Sequence, residues 1–287
     1  MNGFKFNKVY VIESLNNSVE NLTGEELYND LLKWKEYQLK DFKSELIQVN
    51  NMKEFFEKIE YIKDECATKG HYPIIHFEIH GSKDKSGLIV NSGELITWSD
   101  LYNDLIEINS VVGNNVFITL AVCYGAYIME LIKPNNPSPF WGFIGSFETI
   151  EESDLMIRYN EFYDEFLKSF DLDSAVKRLH ESNQNIPSSY SFINSELTFK
   201  NVLRQYFEQK FTEIEIKKRF NDGLSQEKIN IKDRNAKHNF RIKFKVELLK
   251  SKKNYFEEHK SKFFMFDNFP ENKKRFKVEY EDLNNVG

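Results

Sequence analysis

Ile74-Ile75-His76-Phe77-Glu78-Ile79-His80-Gly81 and Val116-Phe117-Ile118-Thr119-Leu120-Ala121-Val122-Cys123-Tyr124-Gly125 are two short apolar runs, and each closes on a reactive side chain with a glycine nearby. Short apolar, β-branched runs bounded by glycine read as strands. Upstream, residues 9–13 and 45–49 read as two more strands. Residues 24–39 and 52–62 show helical spacing, the latter with Phe55, Phe56, Ile59 and Ile62 on one side. Between the two quoted runs, residues 87–90 and 94–96 flank Asn91-Ser92-Gly93 as a hairpin, and Ser99-Asp100 is positioned to cap a helix carrying Leu101, Leu105 and Ile108. Downstream come a short helix at 126–132, a loop with Pro134, Pro137 and Pro139, a strand at 141–147, and helices at 153–170 and 172–181. Strands alternating with helices predict an α/β fold with a mostly parallel central sheet flanked by helices. Functional groups in such sheets gather at the carboxyl ends of the strands, where His80 and Cys123 both fall.

The chain has 287 residues, 40% hydrophobic and 29% charged, enough for one sizeable α/β domain and an appendage. No run approaches the roughly 18 consecutive apolar residues of a membrane helix, and no basic-then-apolar leader opens the chain. A cytoplasmic location is expected, without a membrane partner. Cys66 and Cys123 make no disulfide framework, so both are expected as thiols.

The net charge of −6 is unevenly spread: residues 1–194 hold 17 Lys and Arg against 30 Asp and Glu, whereas residues 195–287 hold 22 against 15. With the break at Ile186-Pro187-Ser188-Ser189-Tyr190, this divides the chain into domains 1–190 and 191–287, the second basic and mainly helical. Lys217-Lys218-Arg219 and Lys273-Lys274-Arg275 lie among interleaved acids, as solvated helix faces do, so nucleic acid is not an expected partner.

The two strand ends suit a thiol hydrolase. A free thiol with a pKa of about 8.5 is only a few per cent ionised at neutral pH, so a nucleophilic Cys needs a base such as His to take and return its proton. Gly81 and Gly125 allow the backbone to turn sharply beside these groups, and the main-chain N–H groups of Gly81 and Cys123 are candidate oxyanion donors. A helix starting after Tyr124 would add a positive dipole near the sulfur.

His80-Gly81 after an apolar strand, the Gly87-Leu88-Ile89-Val90 hairpin, the helix at 98–105 and Cys123-Tyr124-Gly125-Ala126 resemble the His-Gly and Cys-x-Gly blocks of caspase-like (clan CD) cysteine peptidases, closest to the bacterial CHAT-type branch. Ile144-Gly145-Ser146-Phe147, the Phe/Tyr-rich helix at 159–167 and Asp173-Ser174-Ala175-Val176 extend the resemblance to about residue 185. It implies a caspase-like three-layer fold and a cysteine endopeptidase that cleaves a protein partner through a thioester, with His80 as base and acid and Cys123 as nucleophile. Roles in bacterial signalling or antiviral defence, and activation by a protein partner, are further implications. In this family the residue two before the Cys often lines the pocket for the side chain preceding the cleaved bond, and is acidic where Lys or Arg is cleaved. Here it is Ala121, which leaves specificity open, with Glu148, Glu151 or Glu152 as substitute carboxylates. No cofactor is implied.

Two rival readings stand beside this one. The first is a catalytically idle module of the same fold, used for binding. The second is a metal-dependent hydrolase, because His76, Glu78 and His80 share a strand face; but they span about 13 Å at roughly 3.3 Å per residue, and no fourth ligand is evident. Cys66, without a CxxC spacing, reads as structural. The row Phe162-Tyr163-Phe166-Phe170 reads as helix core, and the run from Phe263 to Phe269 as a segment that docks on the peptidase domain or meets a partner.

Overall fold

Seven buried residues in a row, Lys8–Ser14, form strand β1, which lies between β2 (Lys43–Gln48) and β3 (Pro73–Gly81) and runs parallel to both. The computed structural model describes residues 3–284. Beyond β3 the sheet continues through β6 (Phe117–Ala121) and β7 (Gly142–Ser146), both parallel, to β8 (Tyr190–Asn194), which is antiparallel. The spatial order is β2-β1-β3-β6-β7-β8, and a hairpin of β4 (Gly87–Ile89) and β5 (Leu95–Thr97) pairs with the end of β3. This is the α/β, mostly parallel arrangement that the alternation predicts. Strand β8 was not expected from the sequence; it starts at Tyr190 and crosses the boundary read there between residues 190 and 191.

The helices begin where the chain supplies caps. Helix α3 (Met52–Lys69) starts with the Asn51 side chain accepting the Glu54 N–H and stops at Gly70, whose φ of 68° suits the left-handed turn that ends helices. It continues about two turns beyond residues 52–62, the stretch whose spacing marks it, up to the helix-stopping Gly70. Helix α4 (Trp98–Val111) is capped by Thr97, whose hydroxyl accepts from Asp100 N–H while the Asp100 carboxylate accepts from Thr97 N–H. This reciprocal box places the start before the expected Ser99-Asp100 cap. Helices α1 (Thr23–Leu27) and α2 (Lys33–Gln38) are joined by a π-helical turn at Tyr28–Leu32.

Consecutive residues of β3 reveal the layers, because neighbouring side chains on a strand point to opposite faces. Phe77 packs on Phe55 of α3, whereas His76 meets Tyr159 and Tyr163 of α5 (Glu152–Ser169). Helices α3 and α4 pack together; α5 packs on α1 and on α6 (Leu172–Glu181). The buried α5 row Tyr159, Phe162, Tyr163 and Phe166 is core, each such side chain contributing about 1.5–3 kcal/mol by burial. Arg158, also fully buried, bonds Asp154 and the carbonyl oxygens of Leu179 and His180, tying α5 to the end of α6.

The chain divides into two compact units, residues 1–132 with 137–195, and residues 133–136 with 196–287. The second unit is helical: α7 (Ser195–Lys210), α8 (Glu213–Gln226), α9 (Arg234–Phe263) and the short α10 (Asn272–Arg275). Phe263 and Phe264 are buried in its own aromatic core with Phe199, Phe256 and Phe276. Met265 and Phe266 are buried as well, so residues 263–266 lie in the interior, while Asp267 and Asn268 are exposed. No described helix is long and apolar enough to cross a membrane.

Candidate active site

Strands β3 and β6 are registered from Ile74 opposite Phe117 to Glu78 opposite Ala121, and His80 and Cys123 each follow two residues after that last pair. The approach is tight: a Cβ added to Gly81 would lie 1.7 Å from the Cys123 carbonyl oxygen. Only glycine fits there. His80, Cys123 and Ala121 line one cavity of about 110 Å³, together with Glu20, Glu78 and Glu152.

The turn around the cysteine is bent by its neighbours. Tyr124 has a left-handed φ of 60°, its N–H donates to Glu148 O at 3.0 Å, and Gly125 N–H returns to Val122 O at 3.1 Å. A non-glycine residue in this conformation beside a reactive group is a common device for presenting a side chain at a site. The Sγ accepts the Ile150 N–H at 3.3 Å and lies 3.9 Å from the Ile150 carbonyl oxygen, so the Ile150 backbone holds the sulfur in place. The segment after Tyr124 is a seven-residue 3₁₀ helix (Gly125–Leu131) and not a regular α-helix, so the donor at the sulfur is the Ile150 amide.

The imidazole of His80 is half exposed and holds Glu20 Oε1 at 2.7 Å through Nε2. Burial pushes the Glu20 carboxyl up, but the Asn16 N–H and the hydrogen bond and charge of His80 outweigh it, leaving Glu20 below the usual carboxylate range. With an ionised acceptor on Nε2, the single proton of a neutral ring belongs on that nitrogen, which leaves Nδ1 free to accept. His80 and Cys123 are not hydrogen-bonded to each other: the ring is turned to Glu20 and the sulfur to Ile150.

The two candidate oxyanion donors differ in setting. Ser82 N–H bonds Gly87 O in the hairpin, so Gly81 occupies the alternate, non-bonded pair and its N–H is directed away from β4. The Cys123 N–H meets no acceptor among the described residues.

Beneath the cavity runs a buried polar chain. Thr119 Oγ1 lies 2.7 Å from Tyr163 OH and 2.8 Å from His76 Nδ1, and His76 Nε2 lies 3.0 Å from Glu78 Oε1. Thr23 Oγ1 donates to Glu78 Oε2 at 2.8 Å. His76 and Glu78 therefore bond to each other while His80 turns to Glu20, so the three do not converge. Among the described residues no group of three His, Cys, Asp or Glu is disposed to hold a metal.

The loop that carries Glu20 is pinned from below. Glu13 Oε1 accepts the Gly24 and Glu25 N–H groups, and a Cβ on Gly24 would lie 2.9 Å from Glu78 Cγ. From the other side Asn21 donates to the Glu152 carboxylate at the start of α5. Glu148 does not line the cavity; its carbonyl helps bend the cysteine turn, and Glu152 is the downstream carboxylate that reaches the lining. Glu20 carried no signal in the sequence, because its loop has neither periodicity nor a motif. Cys66 is buried, and burial together with the Glu65 charge pushes its thiol up to about 12. Compared with known proteins, the chain matches no family model and no curated relative.

Proposed function

We propose that the first unit is a cysteine endopeptidase in which Cys123 is the nucleophile and His80 the general base and acid. The observation that carries this reading is the common cavity lined by both side chains at neighbouring strand ends, closed up by Gly81 against the Cys123 backbone. The resemblance to caspase-like peptidases supports peptide as the substrate class. In this scheme His80 Nδ1 takes the thiol proton and the sulfur adds to the scissile carbonyl carbon. The negative oxygen that forms is met by the Cys123 N–H, and by that of Gly81. Imidazolium then gives its proton to the departing amine, leaving a thioester. Water, deprotonated by the same imidazole, hydrolyses it and restores the thiol.

Glu20 acts as a positioning residue that holds the ring through Nε2, a geometry expected to tighten once substrate brings the imidazole to the sulfur. The cavity is lined by Glu20, Glu78 and Glu152 and by no Lys or Arg, and with Glu78 bonded to His76 and Thr23 it is Glu20 and Glu152 that favour a substrate with a positive side chain. A second reading, a binding module without turnover, is favoured by the ring's engagement with Glu20 in place of Cys123. A peptide chloromethyl ketone under reducing conditions separates the two. Modification of Cys123, lost in His80→Ala, supports the peptidase; an unmodified Cys123, with candidate activating proteins present, supports the binding module.

A further inference from the structure

Helices α8 and α9 of the second unit are held together by Phe220, whose ring lies 5.6 Å from those of both Phe240 and Phe244. Beside this contact runs a groove. One stretch is lined by Ile214, Ile216 and Ile242 with Lys217, Arg241, Lys245 and one acid, Glu213, and the next shares Lys217 and Arg241 and adds Arg234 and Lys237. Residues 234, 237, 241 and 245 recur every three or four positions and so share one face of α9, forming a row about 16 Å long at 1.5 Å per residue.

The row is short of counter-charge. Between 234 and 253, eight Lys and Arg stand against a single acid, Glu247. Lys245 pairs with Glu213, but Lys217, Arg234, Lys237 and Arg241 have no ion-pair partner among the described residues. The apolar part is equally uncovered: Ile214 is 78% and Ile242 48% exposed, and Val246 and Leu249 continue the stripe one and two turns on. Aliphatic side chains at i, i+4 and i+7 beside a cationic row are the complement of an amphipathic helix with an acidic flank.

We infer that the α8–α9 groove binds an acidic amphipathic helix of a partner protein, its apolar residues on Ile214 and Ile242 and its carboxylates along Lys237, Arg241 and Lys217. A nucleic acid is the weaker fit. The uncovered apolar residues Ile214, Ile242, Val246 and Leu249 are aliphatic and Phe220 is only 3% exposed, so His238 and the partly exposed Phe240 are the rings left beside the groove for a base to stack on. The repeat of the cations matches carboxylates spaced three and four apart on another helix.

The test uses the full chain and a fluorescent 18-residue helical peptide, with Leu at i, i+3, i+4 and i+7 flanked by Glu, beside a twin carrying Gln for Glu. Anisotropy is expected to give micromolar binding for the Glu peptide and about tenfold weaker binding for the Gln twin. Arg241→Gln combined with Lys237→Gln, and separately Ile214→Asp at an exposed position, should each weaken the Glu peptide about tenfold with unchanged circular dichroism and melting. Equal affinity for the two peptides, or none at millimolar concentration, overturns the proposal. So does tighter binding of a 20-base-pair DNA duplex or of phosphatidylserine vesicles that the same cation variants abolish.

Discussion

Cys66 and Cys123 are the same side chain in opposite surroundings. Cys66 sits within α3, buried and beside Glu65, and its thiol is pushed up to about 12. Cys123 stands on a bent turn at the mouth of a parallel sheet, partly exposed, with an amide N–H on its sulfur and a cavity in front of it. Desolvation and a neighbouring anion suppress the Cys66 thiolate. The same residue type is thus enclosed in a helix at one position and set before a cavity at the other.

The widest separation of the two sites is expected in turnover. Cys123→Ala should lower peptide cleavage by about 10⁴-fold or more, while Cys66→Ala leaves it unchanged, both read with a fluorogenic peptide. Next comes alkylation at pH 8. A thiol at about 12 is ionised to about 10⁻⁴ there and Cys66 is also buried, so iodoacetamide should leave Cys66 essentially unmodified while the partly exposed Cys123 is alkylated, as mass spectrometry of the two peptides would show; comparable rates would erase the contrast. Gly81→Ala forces a Cβ to 1.7 Å from the Cys123 carbonyl oxygen, so the strand ends must part and activity should fall about 10²-fold, whereas Gly70→Ala, at the far end of α3 near Cys66, should not affect it.

Glu20→Gln should slow cleavage about tenfold at neutral pH, the size of effect expected for an orienting partner. Its linkage has a definite sign. The folded carboxyl lies below its ordinary value of 4.5, so its stabilising contribution is complete above that value and is lost as pH falls through the depressed one. The melting difference between parent and Glu20→Gln should accordingly close in acid, as the carboxyl is protonated. The smallest effect belongs to Cys66→Ala, about 1 kcal/mol of stability from a small cavity, seen in urea denaturation.

Much of the fold is legible in the chain because period and punctuation are local. The strands around residues 9–13, 74–80 and 117–121 stand within a residue or two of their expected places, as do the helices over 153–170 and 172–181. Strand β8 escapes this reading: Tyr-Ser-Phe-Ile-Asn follows a proline-containing turn signal and coincides with the shift in charge, so its five residues look like a boundary. The short helix after Tyr124 was expected, but its tight 3₁₀ winding depends on the left-handed Tyr124 and the Glu148 carbonyl.

The sequence by itself determined the alternation that makes a parallel sheet, the two glycine-flanked strand ends, and the placing of an imidazole and a thiol upon them, since each of these depends on neighbours a few residues away. Only the tertiary structure decided what surrounds that pair. Glu20, Glu78 and Glu152 come from a loop, a strand and the start of a helix far apart in the chain, and Glu13 and Gly24 settle how close that loop can come. Periodicity says which face a side chain takes; which distant segment meets it there is set by how crossovers pack against the sheet.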